Sequence, residues 1–226
     1  VLATQRMATL AVRAGVSQFI YASSGSVYGI KEEEQVTEDL ELLPISTYNK
    51  TKMVAERVLL SYAGEMAIHN IRPATVCGLS PRMRLDVSVN MLSFQALANG
   101  NITVFGGDQV RPNIHIQDMA RVYEHFLTHP DLPSGNYNAG FENISIQYLA
   151  ELIASKTGAT ITTTSSNDPR SYRQNSDKLL NTGFEPLLSV GHAVDELTQA
   201  FATGELLDSE QSHTVKWMTS LGLANG

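Results

Sequence analysis

Tyr48 and Lys52 stand four residues apart in Tyr-Asn-Lys-Thr-Lys, and upstream lies the hydroxyl-rich run Tyr21-Ala22-Ser23-Ser24-Gly25-Ser26-Val27-Tyr28-Gly29. A phenol, an ammonium one helical turn away and a nearby hydroxyl are the parts of a centre that moves a proton to or from a substrate oxygen. An unperturbed tyrosine titrates near ~10, so at neutral pH it needs a neighbouring cation to favour the phenolate. Lys52 is placed for that task. Lys50, between the two, points to another face of the helix. A lone Tyr-x-x-x-Lys is common by chance. A strand ending in small hydroxyl residues, then a loop, then a helix opening on that pair is far more specific.

The elements needed to hold these residues can be read from pattern. Leu2–Ala14 reads as a helix ended by Gly15, and Gln18–Ala22 as a short buried strand of the kind found in parallel sheets. Ser23–Gly29 is then the loop at its C-terminal end, and Lys31–Leu43 is an acidic connection in which Glu32-Glu33-Glu34 reads as a solvated loop. Thr47–Ala63 is a long helix carrying Tyr48 and Lys52 in its first turns. Glu65–Arg72 contains the next strand, with Pro73–Gly78 as a loop after it. Strand, helix, strand in that order implies a right-handed crossover and a parallel α/β sheet.

The second half has a different texture. Helices are expected over Val87–Asn99, Ile116–Leu127, Ile146–Thr157 and Val190–Thr203. Short strands are expected at Ile102–Phe105, Asn113–Ile116, Gly135–Asn138 and Ala159–Thr163, the last as an edge strand, with a Gly106-Gly107-Asp108 turn between the first two. The division is residues 1–80 for the sheet-bearing part and 81–226 for a smaller α/β lobe interleaved with the last sheet elements.

Bulk properties narrow the partners. With 42% hydrophobic and 17% charged residues, the 226-residue chain has an ordinary globular composition, and its net charge of −7 leaves no basic footprint for nucleic acid. No apolar run reaches the roughly 20 residues of a membrane span. Cys77 is the single cysteine, so there is no internal disulfide, and a cytoplasmic location is expected. No metal site is expected from the six histidines and Cys77.

Several ordered motifs together resemble the extended short-chain dehydrogenase/reductase family, in its nucleotide-sugar epimerase/dehydratase branch. Val1-Leu2-Ala3-Thr4 is similar to the family's Asn-Val-x-Gly-Thr helix start. Phe19–Gly29 is similar to its Ser-Ser-x-x-Val-Tyr-Gly segment, and Tyr48–Lys52 to its catalytic helix. Ile71–Gly78 resembles its Arg-x-x-Asn-Val-Tyr-Gly-Pro stretch. Val104–Asp118 resembles the segment ending Arg-Asp-x-Ile-His-Val-x-Asp, and Pro169–Tyr172 the arginine-bearing segment before the C-terminal helix. The resemblance runs from Val1 to about Phe201. It implies the C-terminal part of a Rossmann-type doubly wound parallel sheet plus a smaller α/β substrate-binding lobe.

The resemblance also implies roles. Tyr48 is the general acid/base, Lys52 tunes it and holds the cofactor ribose, and Ser24, or Ser23 beside it, hydrogen-bonds the sugar oxygen. NAD or NADP is the implied cofactor, bounded by Ala22, Ser23, Tyr48, Lys52, Pro73, Thr75 and Val76. A nucleotide-diphosphate sugar is the implied substrate, met by Ser24, Tyr48, Thr75, Asn90, Arg111 and Arg170, with Arg173 a competing second clamp and Arg82 and Arg84 flanking. Guanidinium forks suit phosphate geometry. His115 is read mainly as structural. A homodimer is implied, paired through the Val1–Ala14 and Thr47–Ala63 helices.

Two departures matter. The family's dehydratases place Asp-Glu after the catalytic hydroxyl, and here the pair is Gly25-Ser26. That favours an epimerase or a 4-ketoreductase over a dehydratase. The family's Gly-x-x-Gly-x-x-Gly turn, which brings backbone amides to the cofactor pyrophosphate, is missing. The resemblance would put roughly a hundred residues ahead of Val1, so a truncated chain is expected, lacking the main dinucleotide cradle, with a non-catalytic interaction module as the alternative.

Overall fold

The computed structural model describes residues 1–165 and 171–223. Helix α1 (Leu2–Arg13) leads into strand β1 (Gln18–Ala22), a 3-10 turn (Gly25–Tyr28), helix α2 (Thr47–Leu60) and strand β2 (Ala67–Pro73). β1 and β2 pair in parallel, with Phe19 opposite Ile68 and Ala22 opposite Ile71, and α2 is the crossover between them. Ile68 and Ile71 are fully buried, as parallel strands covered by helices require. Ala8 of α1, Leu59 of α2, Met66 and Ile68 form one core between the two helices and the sheet.

Beyond β2 come β3 (Thr75–Cys77), α3 (Ser88–Asn99), β4 (Asn101–Phe105), β5 (Val110–His115), α4 (Ile116–Thr128), β6 (Gly135–Ala139) and β7 (Glu142–Ser145). Then follow α5 (Ile146–Thr157), β8 (Thr160–Thr164), the short α6 (Asp177–Leu180), α7 (Val190–Ala202), a 3-10 turn (Glu210–Ser212) and α8 (Thr214–Ser220). β6 adds to the first sheet in parallel beside β2, giving the order β1-β2-β6. β3, β5 and β7 make a second sheet, parallel between β3 and β5 and antiparallel between β5 and β7. β4 and β8 form a separate parallel pair. The mixed α/β architecture with parallel strands expected from the sequence is what the chain forms.

Three details differ from the pattern reading. The stretch after β2 is not all loop, because Thr75–Cys77 pairs with Asn113–His115. The strand read as Asn113–Ile116 begins earlier, at Val110, with Pro112 inside it. Proline has no N–H for a ladder, but β3 pairs only from Asn113 onward, so the missing donor falls outside that ladder. β7, too short and polar to stand out in the sequence, is held by its antiparallel pairing with β5.

A second core is built from Val89, Leu92 and Ala96 of α3, Leu149, Ala150 and Ile153 of α5, and Val190, Ala193 and Val194 of α7, packed over Ile102 and Val104 of β4. A further core of Ile71, Ile114, Met119, Val122, Phe126 and Tyr137 joins the two sheets. The junction between them, where β2 runs into β3, carries Pro73, Thr75 and Val76.

Candidate active site

Helix α2 starts where it does because the Ser46 hydroxyl accepts the Asn49 backbone N–H at 3.1 Å. Such a cap satisfies one orphan donor of the first turn. Tyr48 sits in that turn and is 56% exposed. One turn on, Lys52 Nζ donates to the carbonyl of Ala22 at 2.6 Å. It lies 5.6 Å from the Tyr48 ring centroid and 4.9 Å from that of Tyr21. The ammonium therefore ties α2 to the end of β1. Burial lowers its pKa, opposed by the charge of Glu56 a further turn along.

The loop after β1 is fixed from below. Ser23 donates its N–H to the Ile71 carbonyl at 2.8 Å and its hydroxyl to the Glu56 carboxylate. Ser24 caps the 3-10 turn, its hydroxyl accepting the Ser26 N–H at 3.2 Å. Ser23, Ser24, Tyr48, Pro73, Val76 and Asn90 border one cavity of about 340 Å³, together with Arg82 and Arg84. Of the positions singled out in the sequence, these are the ones brought together. Ala22 contributes by holding Lys52.

Thr75 and Arg111 open onto a neighbouring cavity, also of about 340 Å³, with Met91, Phe105 and Asp86 among its walls. Successive residues of a strand face opposite sides, so β3 sends Val76 to the first cavity and Thr75 to the second. Arg111 is half-buried, with Nη1 donating to the Val110 carbonyl at 3.5 Å. Asn90 is buried with both ends of its amide engaged: Oδ1 accepts the Gly78 N–H at 3.0 Å and Nδ2 donates to the Arg84 carbonyl at 2.9 Å. It clamps the loop that carries Arg82 and Arg84. Gly78 has φ 105°, and a Cβ there would meet His115 Nε2 at 2.9 Å. Only glycine fits that approach.

Arg84 pairs with Asp86 at 2.9 Å, and the Arg82 guanidinium lies 5.4 Å from the Trp217 ring of α8. The same loop is strapped to the C-terminal segment by Leu85 N–H to the Ser212 carbonyl, 2.8 Å, and by Thr214 N–H to Asp86 Oδ2, 2.9 Å. Arg173 is exposed, its carbonyl accepting from Val36 N–H at 2.7 Å. Arg170 lies outside the described residues. His115 is buried and caps α4 through Nδ1, with Nε2 3.2 Å from Glu196 Oε2. The buried Cys77 thiol is pushed up to about 12 by desolvation and by the charges of Glu142 and Glu196. His125 and His129 have the i, i+4 spacing of helical metal ligands, which the pattern reading passed over. Their ring centroids are 4.4 Å apart, and among the described residues no group of three potential ligands forms.

Beneath the cavity lies a network that sequence reasoning missed. Glu56 and Arg72, each 1% exposed, form a two-pronged ion pair: Arg72 Nε to Glu56 Oε1 at 2.9 Å and Nη2 to Oε2 at 2.7 Å. Arg72 Nη1 donates to the Tyr28 hydroxyl at 2.8 Å, which donates onward to Asn138 Oδ1 at 2.7 Å. Gln174 Nε2 caps the Arg72 carbonyl at 2.7 Å. Burial pushes the Tyr28 phenol up to about 12, against the pull of Arg72. For Arg72, burial is outweighed by the Glu56 and Tyr28 bonds, and its pKa is raised. One signal was available: Tyr48, Lys52 and Glu56 stand four residues apart in turn, hence on one helical face.

The model of the NAD dependent epimerase/dehydratase family matches residues 1–140. "Uncharacterized UDP-glucose epimerase YtcB" of Bacillus subtilis (strain 168) is 32% identical over 160 residues, 69% of this chain and 50% of that protein, so the chain spans about half its relative's length. The solved structure of MoeE5 in complex with UDP-glucose and NAD superposes with a TM-score of 0.78 at 27% identity, over 90% of this chain and 71% of MoeE5. The UDP-glucuronic acid 4-epimerase from Bacillus cereus, in complex with UDP-glucuronic acid and NAD, gives 0.77 at 26% identity, over 89% and 67%. The chain belongs to the NAD dependent epimerase/dehydratase family, with the Rossmann-type fold its motif order implied.

Proposed function

We propose, on the premise of that membership, that the protein acts on a hydroxyl or keto carbon of a nucleotide-diphosphate sugar as an NAD(P)-dependent epimerase-like enzyme. The observation that carries this reading is the meeting of Ser24 and Tyr48 on one cavity wall, with Lys52 locked one turn behind the phenol. In this reading Tyr48 takes the proton of the sugar hydroxyl and returns it, while Ser24 hydrogen-bonds the same oxygen. Lys52 stabilises the charge on the phenol side.

The walls suit the nicotinamide end of the cofactor. Pro73, Ala74 and Val76 offer apolar surface, and the Lys52 ammonium is suited to ribose hydroxyls. When bound, NAD(P) supplies and takes back the hydride. Thr75 and Arg111, with exposed Phe105 nearby, suit the nucleotide diphosphate in the adjoining cavity. Arg82 and Arg84 give the rim a positive charge suited to anionic groups on the substrate. Asn90 acts there by holding that loop.

Gly25 supports epimerisation or 4-ketoreduction over dehydration. A Cβ at that position would meet Gln174 Oε1 at 2.9 Å and the Pro73 carbonyl at 3.1 Å, so an acid there would have to displace the floor of the site. A homodimer through α1 and α2 also belongs to the reading, supported by Leu2, Met7 and Leu10 at 82%, 58% and 51% exposure. Sedimentation at equilibrium checks it; a monomer at all concentrations would remove it. For the chemistry, the test is Tyr48→Phe in the full-length protein. Turnover should fall about 10³-fold while nucleotide-sugar binding holds within a few fold. Unchanged turnover would sink the assignment.

A further inference from the structure

The hydroxyl of Ser24 is oriented by a short chain of hydrogen bonds that ends on the catalytic helix. Its oxygen accepts the Ser26 N–H at 3.2 Å and lies 2.7 Å from Ser26 Oγ. Ser26 Oγ donates to Asn49 Oδ1 at 2.8 Å. A hydroxyl carries one proton. With that of Ser26 committed to Asn49, the bond between the two serines is made by the proton of Ser24. The N–H of Ser26 therefore fixes the oxygen of Ser24, and Ser26 Oγ receives its proton until a substrate oxygen takes it.

Asn49 is itself immobilised. Its backbone N–H is capped by Ser46, and it adjoins Tyr48 in the first turn of α2. The chain Ser24–Ser26–Asn49 thus places the serine hydroxyl and the tyrosine in one rigid frame, across a loop and a helix 23 residues apart in sequence. The opposite side of the loop is closed at Gly25 by Gln174 and the Pro73 carbonyl.

We propose that Ser26 and Asn49 are positioning residues, holding the Ser24 hydroxyl in register with Tyr48 for proton transfer. The proposal rests on the reading of Ser24 and Tyr48 given above. Neither residue needs to touch the substrate. Each acts through Ser24, so its removal belongs in kcat rather than in KM, and its effect depends on Ser24 being present.

The test is steady-state kinetics of the full-length protein with NAD and UDP-glucose or UDP-glucuronic acid as probe substrates, for Ser24→Ala, Ser26→Ala, Ser26→Thr, Asn49→Ala and the Ser24→Ala/Ser26→Ala pair. Ser26→Ala should lower kcat about tenfold with KM within about twofold, and Ser26→Thr, which keeps the hydroxyl, should restore most of it. In the Ser24→Ala background the Ser26 change should add nothing. A kcat unmoved by Ser26→Ala, or lowered by the same factor with and without Ser24, overturns the proposal. Should Ser26→Ala fail to fold, Asn49→Ala with and without Ser24→Ala carries the same test. Full activity of Ser24→Ala or Tyr48→Phe, or no turnover of either probe by the parent, overturns the functional reading and this proposal with it. A normal loss in both variants with an additive Ser26 change sinks the proposal alone.

Discussion

Two polar regions meet at one cavity and are built to opposite rules. Below it, Glu56, Arg72, Tyr28 and Asn138 are at most 1% exposed and linked by charge-assisted or neutral hydrogen bonds of 2.7–2.9 Å. Above it, the rim pair Arg84–Asp86 has side chains 48% and 22% exposed, and Arg82 rests against an aromatic ring on a short terminal helix. A buried pair is costly to assemble and far more costly to halve, so it admits one arrangement. An exposed pair is screened and can be exchanged for a ligand's charge. The difference assigns geometry to the floor and adaptability to the rim.

The sharpest way to break this contrast is to halve the floor pair. Glu56→Gln or Arg72→Met alone should destabilise the protein by about 3–5 kcal/mol, read from denaturant midpoints. The apolar pair Glu56→Leu/Arg72→Met should recover much of that loss. Single variants that cost under ~1 kcal/mol would place the floor pair in the same class as the rim pair.

Lys52, at the seam, should behave differently from both. Lys52→Met is expected to lower turnover about 10²-fold while leaving the unfolding midpoint nearly unchanged, because its bond to Ala22 is partly solvated. A loss of stability with turnover intact would make it a structural tie. At the rim, Arg82→Ala and Arg84→Ala should each raise KM for an anionic nucleotide sugar by about tenfold or less, with stability within about 1 kcal/mol. An effect on kcat alone would mean the rim helps shape the reacting geometry.

The smallest expected effect is a dependence on pH. Burial pushes the Asp86 carboxyl up, but the Arg84 bond and charge and the N–H groups of Thr214 and Asp86 hold it below its ordinary value on balance. Its stabilising contribution is complete above the unfolded carboxylate range, near ~4, and is lost as pH falls through the lower folded value. Trp217, the only tryptophan, sits on the segment tied down by Asp86. Its fluorescence should shift in that acid window in the parent and lose the dependence in Asp86→Asn. A pH-independent signal in the parent would show that Asp86 does not hold the strap.

What was legible in the sequence follows the same division. Tyr48 and Lys52 were readable as a pair because a spacing of four puts them on one helical face, whereas Ser24 was picked out by the resemblance of its loop to the family's motif, and only the packing of α2 beside that loop brings it to the same cavity. The order β1, α2, β2 was readable from pattern, but β1, expected as a buried strand, is only part-buried and is exposed at Ala22, because it lies at one edge of the β1-β2-β6 sheet. Glu56 and Arg72 were not, because a glutamate and an arginine read by default as surface residues, and only the meeting of α2 with β2 makes them a pair. The separation of Thr75 from Val76 into two cavities depends on the short β3, whose pairing with β5 has no local signal. The polar β7 was hidden likewise. Asn90, expected at a ligand, holds backbone on either side of a loop, a role set entirely by where Gly78 and Arg84 come to rest.

The floor of the cavity also sets an order of events in time. Tyr28 is closed by Asn138, 110 residues further along, and the Arg72 carbonyl by Gln174, 102 residues further along. β6 must enter beside β2 before the Tyr28–Asn138 bond can form. At ribosomal speeds of about 5–20 residues per second, Tyr28 and Arg72 wait on the order of 5–20 s for those partners to be synthesised. During that interval β2 offers one unpaired edge, the Tyr28 hydroxyl lacks its acceptor and the Arg72 carbonyl lacks its donor. Such long-range closures slow folding and prolong exposure to aggregation. The residues that hold the loop after β1 in the finished protein are therefore the ones whose last partners reach the nascent chain late.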